Sequence, residues 1–122
     1  MAENKSCCGG PTLIFACSGA ADVGAVADQA ARKLTRDGEG KMFCLAGVGG
    51  RVSAIMKTTE SAAKILAIDG CPLNCAASCL KEAGFKDFEH LRLAELGMEK
   101  GKTPVTEENI AKAAAEGARK LG

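Results

Sequence analysis

Apolar and polar positions follow one another along this chain in a rhythm that predicts strands separated by helices. Thr12-Leu-Ile-Phe-Ala16 is a short continuous apolar run of the kind that makes a buried strand, and Cys17-Ser-Gly-Ala-Ala-Asp22 after it is a small-residue turn. Val23, Val26, Ala27, Ala30 and Leu34 then recur at helical spacing, with Gly38 as a stop just beyond Lys33 and Arg36. The cycle returns with Lys41-Met-Phe-Cys-Leu-Ala46 as a strand, Gly47-Val-Gly-Gly50 as a turn, and Val52, Ile55, Met56 and Thr59 on one helical face. Ile65-Leu-Ala-Ile68 predicts a third strand and Asp69-Gly70 a turn. Cys71 then falls at the N-cap and Pro72 at the first position of a helix that runs to about Ala83, before Gly84. Phe88-Glu-His-Leu-Arg-Leu93 reads as a fourth strand, and the segment from Thr106 to Leu121 as a last helix on Ile110, Ala113, Ala114 and Leu121.

This alternation implies an α/β fold: one small domain over residues 1–122, with a mostly parallel four-stranded sheet and helices on both faces. At 122 residues a single core is enough. Residues 1–10 and the loop around Gly97 to Thr103 are expected to be mobile.

Charge and composition remove several function classes. Lys plus Arg number 16 against 15 Asp plus Glu, and the basic residues are scattered, which argues against a nucleic-acid partner. With four Phe and neither Trp nor Tyr the chain has little to stack bases on. No apolar run approaches the ~20 residues that span a bilayer, and Met1-Ala-Glu-Asn-Lys5 does not open a signal peptide. A cytoplasmic protein without a membrane partner is the expectation; a protein partner is not legible.

The seven cysteines change the picture more than the charge does. Without an export signal a disulfide framework explains them poorly, so metal binding or thiol redox chemistry leads. In a parallel α/β sheet the turns after the strands share one edge, where ligands collect. Cys17 directly follows the first strand, Cys44 lies near the end of the second and Cys71 follows the third. Cys75, four residues beyond Cys71, is one helical turn away on the same face. Four thiolates at ~2.3 Å satisfy tetrahedral Zn²⁺ and leave no position for a catalytic water, which favours a structural, sensing or storage role over catalysis. The helix amino termini at this edge offset part of the site's negative charge. Cys79 lies ~12 Å along a helix from Cys71, too far to share the ion, and reads as a small buried hydrophobe or an additional redox thiol. Cys7 and Cys8 fall in the amino-terminal tail.

Three stretches in order, Cys17-Ser-Gly-Ala-Ala-Asp-Val-Gly24, Lys41-Met-Phe-Cys-Leu-Ala-Gly47 and Ile68-Asp-Gly-Cys-Pro-Leu-Asn-Cys-Ala76, resemble the DGC-domain family of zinc-binding proteins, named for the Asp-Gly-Cys triplet. The likeness runs from about Thr12 into the last helix. It implies that the family's four ligand cysteines fall on Cys17, Cys44, Cys71 and Cys75, the set that the strand-end argument also selects.

Competing readings use the same residues. The four cysteines can be plain reduced core thiols, and His90, the one histidine, can replace a thiolate in a Cys₃His site although it lies inside the fourth strand. Turn formation and helix capping account for Asp22 and Asp69. The Gly47–Gly50 turn with Arg51 and Lys57 is a weak anion signature that matches no nucleotide motif. A cysteine-nucleophile enzyme needs an arginine six residues after its cysteine, where Val23 follows Cys17 and Gly50 follows Cys44. A thiol redox enzyme lacks a Cys-x-x-Cys motif, and an iron–sulfur electron carrier on the same thiolates remains a further alternative.

Overall fold

A computed structural model describes residues 9–122, so the tail cysteines Cys7 and Cys8, and most of the tail expected to be mobile, lie outside the described residues. The chain runs β1 (Thr12–Ala16), α1 (Asp22–Arg36), β2 (Lys41–Met42), α2 (Leu45–Gly49), α3 (Ser53–Glu60), β3 (Lys64–Asp69), α4 (Cys75–Glu82), β4 (Glu89–Arg92), a short 3₁₀ turn (Leu93–Leu96) and α5 (Glu107–Leu121). The four strands form one sheet in the order β2-β1-β3-β4, parallel throughout, as the alternating pattern predicts.

Strand side chains alternate between two cores. Ile14, Ala16, Leu66, Ile68 and Leu91 face α1 and α5, whose contributions are mostly alanine, valine and leucine. Small residues let these helices lie close: a Cβ on Gly117 of α5 would stand 2.9 Å from Leu34 Cδ1 of α1. Leu13, Phe15, Ile65 and Ala67 face the other way, toward Val48 of α2 and Ala76 and Leu80 of α4. One sheet face is thus closed by two 15-residue helices and the other by three helices of 5, 8 and 8 residues.

Two element boundaries need correction. The run after Lys41 pairs as a strand only through Met42, with Phe43 N–H still donating to Ile14 O at 2.8 Å. Cys44 then caps a helix, its Sγ accepting the Gly47 N–H at 3.3 Å, so residues 45–49 are helical rather than strand and turn. β2 is an edge strand with one neighbour, and beyond it Val48 is buried in the core on this side of the sheet while Gly47 lies against Ile55. The second correction concerns the helix after β3, which begins at Cys75 rather than Pro72; its N-cap is Asn74, in the left-handed region at φ 54°.

The loop of residues 97–103, expected to be mobile, is fastened instead. Asp22 accepts the backbone N–H groups of Gly101 and Thr103, each at 3.0 Å, and Thr103 is buried. No helix among the described residues is long and apolar enough to cross a membrane.

Candidate functional site

From β1 the chain goes through α1 to β2 on one side, and from β2 it crosses to β3 on the other side of β1. The carboxyl ends of β1 and β3 therefore flank the point where the winding reverses, the usual place for a crevice in such sheets. Cys17 extends the ladder by one residue, its N–H donating to Ile68 O at 3.1 Å, and its Sγ accepts the Gly70 N–H at 3.4 Å. Gly70 is required there: a Cβ would lie 2.6 Å from the Val23 carbonyl, so only glycine lets the end of β3 pass the start of α1.

Asp69, 1% exposed, organises the next turn. Its carboxylate accepts the N–H groups of Ala76 at 2.7 Å and Ala77 at 3.1 Å, which caps α4 from outside the helix. Asn74 contributes no side-chain cap, and its buried Oδ1 has no partner. The other Asp69 contact is His90 Nε2 at 2.7 Å. Ala67, two residues before Asp69, is the register partner of His90, so both side chains point to the α4 side of the sheet. The capping role expected of Asp69 thus holds, while its link to His90 is not legible in the sequence.

Between these turns lies a cavity of about 430 Å³. Its walls include Cys17, Cys71, Cys75, Asp69, Leu73 and Lys100. Cys17 and Cys71 are half-buried and Cys75 is exposed; none of the three is in a disulfide. Burial pushes the Cys17 thiol above the ordinary cysteine value against the opposing Gly70 and Gly19 amides, and Asp69 and Cys71 push it the same way as burial. Lys100 arrives on the loop that Asp22 fastens, a long-range contact without a sequence signal.

Cys44 stands off this cavity, exposed at the start of α2. Its helix packs beside α4, with Gly49 against Cys79: a Cβ at Gly49 would sit 3.7 Å from Sγ. Arg51 ties the pair together, donating to the carbonyls of Val48 and Gly49 on α2 and of Glu82 on α4 at 2.9 to 3.0 Å. Cys79 is half-buried in this junction. Three of the four candidate cysteines therefore share one cavity and the fourth sits on the adjoining helix. As the side chains stand, no three His, Cys, Asp or Glu among the described residues converge closely enough to hold an ion.

Comparison with known proteins adds a family. The pattern of the DGC domain family matches residues 13–116. A curated relative, "Anaerobic and virulence modulator AnvM" from Pseudomonas aeruginosa, is 41% identical over 88 residues, which are 72% of this chain and 67% of the relative. No solved structure matches the chain.

Proposed function

This chain belongs to the DGC domain family, and we propose that it is a regulatory protein holding one Zn²⁺ ion on the thiolates of Cys17, Cys71, Cys75 and Cys44. The observation that supports this reading is that Cys17, Cys71 and Cys75 line one cavity at the point where the sheet reverses its winding. The donors suit the ion: soft, reduced thiols, enough for a tetrahedral set. The exposed Cys75 and Cys44 side chains must turn inward to close on it.

Bound zinc would cross-link the strand-end turns. The residues around it prepare that step. Asp69 fixes the amino end of α4 and with it Cys75, while Gly70 and Gly19 aim N–H groups at the Cys17 sulfur, where they stabilise a thiolate. Cys17 starts as a protonated thiol, so taking up the ion releases a proton. Burial that raises the Cys17 thiol disfavours its thiolate, which counts against Cys17 itself as an activated nucleophile. A relative named as a modulator supports a regulatory role over catalysis.

Elemental mass spectrometry on the intact purified chain, beside Cys71→Ser and Cys17→Ser, tests the reading. About one zinc per chain, lost in both variants, is the expected result. A metal-free chain with freely reactive thiols would overturn it, and visible colour with bound iron would transfer the same thiolates to an iron–sulfur cluster.

A further inference from the structure

We infer that Cys17 and Cys71 are a redox pair, closing to a disulfide that ties the β1–α1 turn to the β3–α4 turn when a small soluble disulfide enters the cavity they line. The pairing does not rest on the zinc reading. Three observations select these two among the five described cysteines. Both line the cavity of about 430 Å³, and both pack, half-buried, against the α1–α5 core. The Cys17 sulfur accepts the Gly70 N–H at 3.4 Å, and Cys71 is the next residue, its Cα one step of ~3.8 Å beyond that of Gly70. Cys71 is also among the groups that push the Cys17 thiol up, so the two sense each other through space. The others stand apart: Cys75 is exposed at the start of α4, Cys44 caps α2 away from the cavity, and Cys79 lies in the junction of α2 and α4. β1 and β3, which lead into the two turns, are sheet neighbours, and neighbouring strands lie ~4.8 Å apart, inside the ~4.4–6.8 Å between the Cα atoms of a disulfide. Closing the bridge therefore moves the turns and leaves the sheet in place.

The chemistry is thiol–disulfide exchange, with a small disulfide R–S–S–R as the oxidant. The Cys71 thiolate attacks one sulfur of the ligand; a Cys71–S–S–R bond forms, the ligand's S–S bond breaks, and the departing R–S⁻ takes up the proton that Cys71 released. Cys17 then attacks the Cys71 sulfur, the mixed disulfide breaks, and the second R–S⁻ receives the Cys17 proton. The protein is oxidised by two electrons and the ligand is reduced to two R–SH. Cys17 suits the second step better than the first. Burial disfavours its thiolate in an encounter with a free reagent, whereas attack on a sulfur held beside it is intramolecular, with the Gly70 and Gly19 N–H groups facing the charge that develops. The cavity is the way in: its volume falls in the range of small-molecule sites, and Ala21, Val23 and Leu73 offer apolar wall to the carbon of R.

The test treats the full chain with 2-hydroxyethyl disulfide in the presence of EDTA, blocks the remaining thiols, and maps the linkages by mass spectrometry of the intact and digested protein. The wild type should lose two hydrogens and carry a Cys17–Cys71 cross-link, reversed by dithiothreitol and about tenfold more abundant than any other pairing. Cys75→Ser, Cys79→Ser and the double variant Cys7→Ser/Cys8→Ser should give the same cross-link. In Cys17→Ser the hydroxyethylthio group should stay on Cys71, because the thiol that would displace it is gone. The wild-type map decides by itself should a variant fail to fold. A dominant cross-link to Cys75 or to a tail cysteine, or stable adducts without any cross-link, would overturn the pairing while leaving the zinc reading intact. So would the same distribution of cross-links in urea as in the native protein, since the chain rather than the fold would then select the partners. The zinc reading is tested separately by the metal content of the untreated chain, so the failure of either is read without the other.

Discussion

The two faces of this sheet are built for different ends. On one, α1 and α5 cover Ile14, Leu66, Ile68 and Leu91 with long helices whose alanines and Gly117 allow close approach. On the other, α2, α3 and α4 are short, and Cys44, Cys75 and Cys79 lie on them or at their caps, whereas Cys71 in the turn before α4 packs against the α1–α5 core. The first face can supply most of the hydrophobic stabilisation, since apolar area removed from water sets that contribution. The second then needs only to hold its helices at the right spacing. The difference teaches that the closing of the fold and the spacing of the helices that carry Cys44, Cys75 and Cys79 rest on opposite faces of one sheet.

The strongest test of that division is Leu66→Ala. Leu66 is fully buried between the sheet and the α1–α5 pair, and its truncation should cost about 3 kcal/mol by denaturant unfolding. The zinc content of the folded fraction should be unchanged. A variant that loses its metal while remaining folded would show that the closed face governs the site.

Asp69→Asn ranks next, because it acts on the site's scaffold. The substitution weakens three contacts to a buried carboxylate, from Ala76, Ala77 and His90, and should cost about 2 kcal/mol. Unlike Leu66→Ala it should also weaken metal binding, since Cys75 loses its anchored helix. Equal metal affinity in this variant and the wild type would detach Asp69 from the site.

How much of this was legible in the sequence follows the same division. The strands β1, β3 and β4 and the helices α1 and α5 show plainly as apolar runs and helical spacing, because the central strands are buried on both faces and the two long helices on one. The segment from Phe43 to Gly49 misleads, because a four-residue apolar run reads alike as strand or helix and only the edge position of β2 decides. Pro72 misleads for a related reason: α4 takes its cap from Asp69 across the turn, so the helix starts three residues later. Strand ends alone place Cys17 and Cys71 at one edge. That Cys44 falls beside the cavity, and that Lys100 joins it, depends on helix packing and on a contact between residues 22 and 101 that no local pattern encodes.

A smaller effect is expected at the junction that spaces the thiol-bearing helices. Arg51→Ala removes the donors that join α2 to the end of α4 and should cost about 1 kcal/mol. Amide exchange should quicken in α2 and α4 and stay as it was in α1 and α5. Uniform quickening across both faces would mean that the two do not open separately.

The smallest effect is the most local. Hydrogen bonds from Gly101 and Thr103, joined by that of Val23, hold the Asp22 carboxyl below its ordinary range. A depressed carboxylate contributes stability above its unfolded value, about 3.9, and loses it as pH falls through the lower folded value. The Lys100 loop should therefore stay fastened above about pH 4 and loosen in more acid solution. In the wild type, exchange protection of the Gly101 and Thr103 amides should fall across that window, after correction for the intrinsic rate. In Asp22→Ala it should be low at every pH, with global stability little changed. Retention of the protection would mean that the loop is held by its own Glu99–Thr103 hydrogen bonds, and that Asp22 is only a neighbour.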